Sequence, residues 1–393
     1  KGTFSEIYEA SDLQSERQAD GRHACVAIKV ARDAQKRSML EHEEEVLLDL
    51  QACECVARHI QLGNEVSCNF LAMELLGENI SEMRRAATHK RLTLRTVSLV
   101  GLQMANAIES IHEVGYVHRD IKPSNFCIGL NEPNRCFLLD FGLTRRWRTA
   151  NGETRAPRES VDFRGTCRYA SIHSHQSREL SRRDDLWSWL YMLMELHYGE
   201  LPWQSMRDRD TVLQMKLEHM KAVSDGTAST PTGDALPRPF VSMQQHLQAL
   251  GFHDTPDYGL MRRELEKLLL PEKMPQTLDW QFEGVTPARR RHRSIGSSSA
   301  MPCTTTASSS PAAPGASLPP VAASTASLLS DGGGVPLAAL SPAAPAVPIT
   351  VREVLLVGAE LRGRDQQGVA RMLYEWTGLS ATRVDCTGVE AAV

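Results

Sequence analysis

Residues 116–125 constrain this chain more than any other stretch. Tyr116 and Val117 lead into His118, Arg119, Asp120, Lys122 and Asn125. A second cluster, Asp140, Phe141 and Gly142, follows one short hairpin later and is entered from Leu138 and Leu139. Two acids, a lysine and an asparagine are thereby set on two short loops, each at the end of an apolar segment. Phosphoryl transfer from a nucleotide uses this set: a carboxylate orients the attacking hydroxyl, and a second carboxylate and an amide oxygen hold the metal ions that bind the phosphates.

The bulk numbers set few limits. A chain of 393 residues holds one large domain with extensions, or two to three small ones. Its 41% apolar and 23% charged residues are ordinary for a soluble protein, and a net charge of −4 points to neither a nucleic-acid nor a membrane partner. The nine cysteines are scattered, with no Cys-x-x-Cys pair, which argues against a zinc site or disulfide framework and for a reducing compartment. The apolar run at 186–194 is broken by Ser188 and too short to span a bilayer. The chain opens on Lys1, inside a motif, so a segment is expected upstream.

Along the chain, residues 4–10, 24–30 and 70–76 read as strands, and 38–50 as a half-exposed helix with Met39, Val46, Leu47 and Leu50 among many acids. Between 93 and 114 apolar residues recur every three or four positions, giving an amphipathic helix that Gly115 stops. Residues 184–198 are apolar nearly all round, as in a helix buried in a core. Further helical patterns lie at 209–222, 242–250 and 258–270. The expected organisation is a catalytic domain over 1–283, with a strand-rich lobe at 1–76 and a helical lobe at 77–283. Residues 284–349, rich in Ser, Ala, Pro and Thr, are expected to be a disordered linker, because they cannot bury enough surface to offset chain entropy. Residues 350–393 form a short final segment with a strand pattern at 351–357 and a helical one at 366–376, which could equally arise by chance.

Further residues complete the chemistry. Gly2, Thr3, Phe4, Ser5, Glu6 and Ile7 form a turn between two strands, where backbone amides can approach phosphates. Lys29, on the β-branched run 26–29, can bridge the α- and β-phosphates. Glu43 is its expected partner. Glu44 and Glu45 compete, but Glu43 has Val46 and Leu47 at offsets three and four, on the same inward side. Met73, Glu74 and Leu76 end a strand where backbone groups can meet an adenine edge, with Met73 at the back of the pocket. Asp120 is assigned to orient or deprotonate the substrate hydroxyl, Lys122 to meet the γ-phosphate, and Asn125 and Asp140 to hold Mg²⁺. His118 reads as a packed structural residue. The metal follows from charge: two like unit charges about 4 Å apart repel by roughly 4 kcal/mol at an effective dielectric near 20, so these acids cannot close on a triphosphate unaided.

These residues together resemble the eukaryotic protein-kinase set. Those beyond Asp140 resemble, more narrowly, the casein kinase 1 superfamily: Gly165, Thr166, Arg168, Tyr169, Ala170 and Ser171 look like its Gly-Thr-x-Arg-Tyr-Ala-Ser block. Ile172 and His173 continue that block where most kinases carry Ala-Pro-Glu. The segments 182–188, 201–203 and 256–258 fit as well. Phe163 with Arg164, and Ala156, Pro157 and Arg158 upstream, are most similar to the tau-tubulin kinase branch.

The resemblance implies an α+β bilobal protein-kinase fold with a small β-rich N-lobe, its first strand truncated, a larger helical C-lobe and a disordered tail. It implies a serine/threonine kinase using ATP and Mg²⁺ with protein substrates, a cytoskeletal substrate being one option; a monomer in the cytoplasm is expected, with the nucleus as a further option. Thr166 would contact Asp120 and Lys122. Asp185 would brace the catalytic loop through backbone amides, whereas Asp184 competes as a helix cap. Arg164 and Arg168 would meet an acidic or phosphorylated substrate, or else pair with acids in the loop. No activating phosphorylation site stands out between 140 and 166. Ser5 departs from the family, standing where its third glycine would be, and this motivates the alternative of a catalytically weak scaffold that binds partners through its tail. The basic run Arg289, Arg290, Arg291, His292 and Arg293 reads as a solvated linker, with nuclear import as the other option.

Overall fold

The computed structural model describes residues 5–12, 15, 23–31, 37–64, 69–149, 151–231, 233–269 and 278, and the backbone of 354–355. Gly2, the linker at 284–349, the basic run at 289–293 and the helical pattern at 366–376 lie outside them.

The N-lobe is an antiparallel sheet with one helix. Its elements are β1 (Ser5–Ser11), β2 (Cys25–Ala31), α1 (Arg37–Asp49), β3 (His59–Asn64) and β4 (Asn69–Glu74). A two-residue strand late in the chain, Val354–Leu355, pairs with β1 and gives the order β3-β4-β2-β1 and then this strand. Side chains alternate across a strand, and β2 uses both faces. Val26, Ile28 and Val30 join Tyr8, Ala10, Phe70 and Ala72 in one apolar cluster. Lys29 and its cross-strand neighbour Ile7 therefore share the opposite face. There α1 packs through Leu40, Val46, Leu47 and Leu50, all buried.

The C-lobe is helical: α2 (Ile80–Ala86), α3 (Leu94–Val114), α4 (Ile172–His175), α5 (Arg182–Tyr198), α6 (Arg209–Ser224), α7 (Arg238–Ala249) and α8 (Tyr258–Leu269). Between α3 and α4 lie four short strands: β5 (Tyr116–Val117), β6 (Phe126–Ile128), β7 (Cys136–Leu138) and β8 (Arg145–Arg146). β5 pairs with β8 and β6 with β7, both antiparallel. With these named, the late strand Val354–Leu355 is β9.

The long helices have local causes. Thr93 caps α3 by accepting from the Thr96 amide at 3.2 Å, and Gly115 ends it in the left-handed region at φ 113°. At α5 the Ser181 amide donates to Asp184 Oδ2 at 2.8 Å, the third-position half of a capping box. Asp184 also accepts from the Ser171 hydroxyl at 2.6 Å, so this acid is spent on the cap while its neighbour faces the catalytic loop. Residues 182–196 of α5 are all buried, which makes this helix the axis of the C-lobe core.

Three differences from the sequence reading have simple reasons. β3 was not anticipated, because its half-exposed edge carries His59, Gln61 and Asn64 in place of β-branched alternation. α2 spans two turns, too short for periodicity to register. β5 to β8 are held by tertiary neighbours and not by propensity.

Candidate active site

Lys29 lies between two acids. Its Nζ is 2.7 Å from both Glu43 carboxylate oxygens and 2.9 Å from Asp140 Oδ1. Burial alone would lower the Lys29 pKa, but the Glu43 and Asp140 charges outweigh it and hold the ammonium above its ordinary range. Burial likewise works against the Asp140 carboxylate, yet Lys29 keeps it below the usual carboxylate range. Of the three acids at 43–45, it is Glu43 that meets Lys29. Glu44 instead faces His59 Nε2 at 2.8 Å on the outer side of α1. His42 bonds the Thr144 carbonyl at 2.9 Å, tying α1 to the segment after Asp140.

The loop between β5 and β6 carries Asp120. Thr166 donates its hydroxyl to Asp120 Oδ1 at 2.8 Å, and Lys122 Nζ donates to Oδ2 at 2.5 Å. Asn125 Nδ2 donates to the Asp120 carbonyl at 3.0 Å, which leaves its Oδ1 as the atom available to a cation. The Asn125 carbonyl accepts from the Leu139 amide at 2.9 Å, which brings the residue before Asp140 against this loop. His118 is fully buried, donates from Nε2 to the Leu139 carbonyl at 3.0 Å and meets the Phe141 ring edge-on at 5.6 Å. It is the packed residue its sequence context indicated.

Two residues here hold strained backbone: Arg119 and Asp140, each at φ 69°. A non-glycine residue in that region costs on the order of 1–3 kcal/mol and persists only where its surroundings fix it. Asp185 supplies the fixing for Arg119. Its Oδ1 accepts from the Arg119 amide at 2.8 Å, and its Oδ2 accepts from the His118 amide at 2.7 Å and His112 Nε2 at 2.9 Å. His112 is in turn bonded at Nδ1 by the Tyr258 hydroxyl at 2.6 Å. Burial keeps His112 neutral by lowering its pKa, so Nε2 carries the proton and Nδ1 accepts. His112 and Tyr258 were missed from sequence, because their partner lies far along the chain. Gly165, at φ +89°, passes so close that an added Cβ would lie 2.6 Å from the Arg119 carbonyl.

Around the cleft, Ile7 is 63% exposed on the face it shares with Lys29, as a roof over a bound group would be. Ser5 opens β1. Met73 and Leu76 are half-buried. The Glu74 amide is spent on the Arg58 carbonyl at 2.9 Å and its carboxylate accepts from the Arg58 amide at 3.1 Å, so this side chain turns out of the cleft. The Leu76 amide bonds to no acceptor among the described residues.

One expectation is corrected. Arg168 is not free for a substrate anion: its Nη1 donates at 2.8 Å to Glu195, a fully buried acid of α5 that also takes Arg84 at 3.4 Å and the Tyr169 hydroxyl at 2.5 Å. Removing Arg168 from Glu195 would leave a fully buried acid short of one of its three donors. Arg164 is exposed and belongs to another cluster. There the buried Glu179 accepts from Arg158, including Nη2 at 3.1 Å, and faces Arg145 at 3.7 Å. Burial and the repulsion of Arg164, Arg145 and Arg158, against the pull of Glu179, bring Arg119 down to about 10. Three guanidinium groups, those of Arg158, Arg145 and Arg119, thus act on one carboxylate, and Arg164 adds its repulsion to Arg119 and Arg145. Of these, Arg119, Arg145 and Glu179 were missed; no short-range pattern links them.

The oxygen donors available to a metal are few. Among the described residues no group of three His, Cys, Asp or Glu side chains is set to hold an ion alone. Asp140 and the Asn125 amide oxygen fit Mg²⁺, which is characteristically bound by one or two protein oxygens together with substrate phosphates.

Two lobes, a lysine–glutamate pair and acids on two adjoining loops are the arrangement of the protein-kinase fold. The protein kinase domain family matches residues 1–250, and the chain belongs to it. It is 40% identical over 290 residues to a probable serine/threonine-protein kinase of Dictyostelium discoideum, covering 72% of this chain and 55% of that protein. The chain therefore spans about half the length of the curated relative it matches.

Proposed function

We propose that this chain is a serine/threonine protein kinase of the casein kinase 1 superfamily, nearest the tau-tubulin kinase branch, transferring the γ-phosphate of Mg-ATP to protein hydroxyls. The observation that carries this reading is the joint engagement of Lys29 by Glu43 and Asp140, beside an Asp120 held by Thr166 and Lys122. Mg-ATP, when bound, supplies the phosphoryl group and the divalent charge that offsets the acids.

Each residue then has a task. Asp120 orients the substrate hydroxyl and accepts its proton, and Thr166 fixes the carboxylate's rotation. Lys122 neutralises charge at the γ-phosphate, and Lys29 at the α- and β-phosphates, with Glu43 holding it in place. Asp140 and Asn125 hold the metal. Gly2, Ser5 and Ile7 cover the phosphates and base. The backbone of Glu74 and Leu76 reads the adenine edge, with Met73 behind it.

For substrates, the reading favours acidic or phosphate-primed proteins. Arg119, Arg145, Arg158 and Arg164 leave an excess of positive charge around Glu179, suited to a second anion. Cytoskeletal substrates rest on family resemblance; a monomeric state and a cytoplasmic location are part of the same reading, and nuclear import is an option raised by the basic run at 289–293 alone.

The experiment is transfer of radiolabelled phosphate to casein, with Asp120→Asn as control. Equal background from both proteins would sink the proposal. A scaffold would in addition show no Mg²⁺-dependent rise in melting temperature with nucleotide. Against the Ser5 departure that motivates the scaffold reading stands the engagement of Lys29, Glu43, Asp120 and Asp140.

A further inference from the structure

Lys216 lies in the middle of α6, fully buried, and no carboxylate pairs with it among the described residues. Its Nζ donates to the Ala170 carbonyl at 2.6 Å and the Cys167 carbonyl at 2.9 Å, and lies 3.2 Å from His175 Nε2. The ring centroids of Tyr191 and Trp203 lie 5.0 Å and 5.2 Å away. An ammonium has three donors, and here each has one acceptor, with two aromatic rings adding to its stabilisation. A leucine or methionine would fill such a place without the cost of burying a charge. What the charge adds is a grip on the backbone of 167–170.

That backbone is held from beneath along its length. Between the two carbonyls bound by Lys216, the Arg168 carbonyl accepts from Trp203 Nε1 at 2.8 Å. The Arg168 and Tyr169 side chains end on Glu195. Immediately before the segment, Thr166 bonds Asp120. A substrate whose hydroxyl reaches Asp120 must lay its neighbouring residues against the chain that follows Thr166.

We infer that Lys216 is a positioning residue for the protein substrate: by drawing two carbonyls inward from α6, it sets the surface on which the substrate backbone beside the accepting hydroxyl is laid. This rests on the kinase reading. The groups around it are His175 from α4, the Cys167 thiol and the Tyr191 phenol from α5; Arg209 acts in turn on His175 and Cys167, and Asp208 on Cys167. Burial brings Lys216 down to about 7, partly offset by Cys167, and brings His175 down to about 4, helped by Lys216 itself. Loss of the Lys216 proton removes one of its three donors.

The test is steady-state kinetics of the full chain with an unprimed acidic peptide, comparing wild type with Lys216→Met and Lys216→Gln. The expected result is a peptide KM raised about tenfold, the size of one or two lost charge-assisted hydrogen bonds. The ATP KM and the nucleotide-dependent thermal shift stay within twofold of wild type. In the wild type the peptide KM rises as pH increases through about 7; in both variants this rise is absent. An unchanged peptide KM, or equal changes in the peptide and ATP KM, overturns the inference. So does failure of both variants to fold, which would make the role structural. Absence of transfer by the wild type overturns the kinase reading instead.

Discussion

Thr166 and Asp120 stand 46 positions apart and share a 2.8 Å hydrogen bond from the threonine hydroxyl to Oδ1. The other oxygen, Oδ2, belongs to Lys122. A carboxylate gripped at both oxygens has little rotational freedom, which is what an acceptor for a substrate hydroxyl proton needs. Asp120→Asn is expected to lower kcat by about 10²–10⁴, the usual yield of a positioned base. Thr166→Val, which keeps the volume but loses the donor, is expected to cost about tenfold. Steady-state kinetics on casein checks both.

The Lys29 and Glu43 side chains are only 10% and 6% exposed. Lys29→Met leaves Glu43 buried without its partner, and such a break destabilises by about 3–5 kcal/mol. Lys29→Met combined with Glu43→Leu is expected to recover most of that loss while still showing no Mg²⁺-dependent thermal shift with nucleotide. Urea titration measures the first effect and calorimetry the second.

Asp185 has a definite pH signature. Burial would raise its pKa, but the hydrogen bonds from His112 and from the His118 amide hold it below the usual range. A carboxylate with a depressed folded pKa contributes stability that is complete above its unfolded value of about 3.9 and is lost as pH falls through the folded value. Asp185→Asn is expected to flatten the acid-unfolding curve in that window and to lower stability at neutral pH by about 1–3 kcal/mol, since an amide keeps one acceptor oxygen where the carboxylate offers two to His118, Arg119 and His112. Denaturant titrations at a series of pH values read both.

His175 acts in the opposite sense. Burial and the Lys216 charge bring it down to about 4, from an unfolded value near 6.5. Between those values the unfolded chain binds the proton and the folded chain does not, so stability falls as pH drops through the window. His175→Gln is expected to remove part of that slope, measured by thermal unfolding between pH 7 and 4.

Gly165→Ala is expected to destabilise by about 1–3 kcal/mol, because alanine at φ +89° is strained and its Cβ would press on the Arg119 carbonyl. Since that carbonyl adjoins Asp120, kcat should fall more than the nucleotide thermal shift. Unfolding and kinetic measurements on one preparation compare the two.

Legibility in the sequence followed distance along the chain. Asp120, Lys122 and Asn125 sit within six residues, so one loop declares them together. Glu43 could be separated from Glu44 and Glu45 because helix periodicity ties it to Val46 and Leu47. Glu195 was not singled out, because nothing local named Arg84, Arg168 and Tyr169 as its partners. The same gap assigned Arg168 to substrate anions. The cluster of Arg119, Arg145, Arg158 and Glu179 joins four separate segments, and only the folded chain brings them together. Capping residues and apolar stripes located the large helices, whereas β3 and α2 owe their existence to neighbours.

Lys29 grips Glu43 and Asp140 at once. One ammonium thereby fastens the helix of the small lobe to the loop that opens on Asp140, so a shift in either acid is passed to the other through a single atom. The three side chains form one joint, and a fault in any of them is a fault in all.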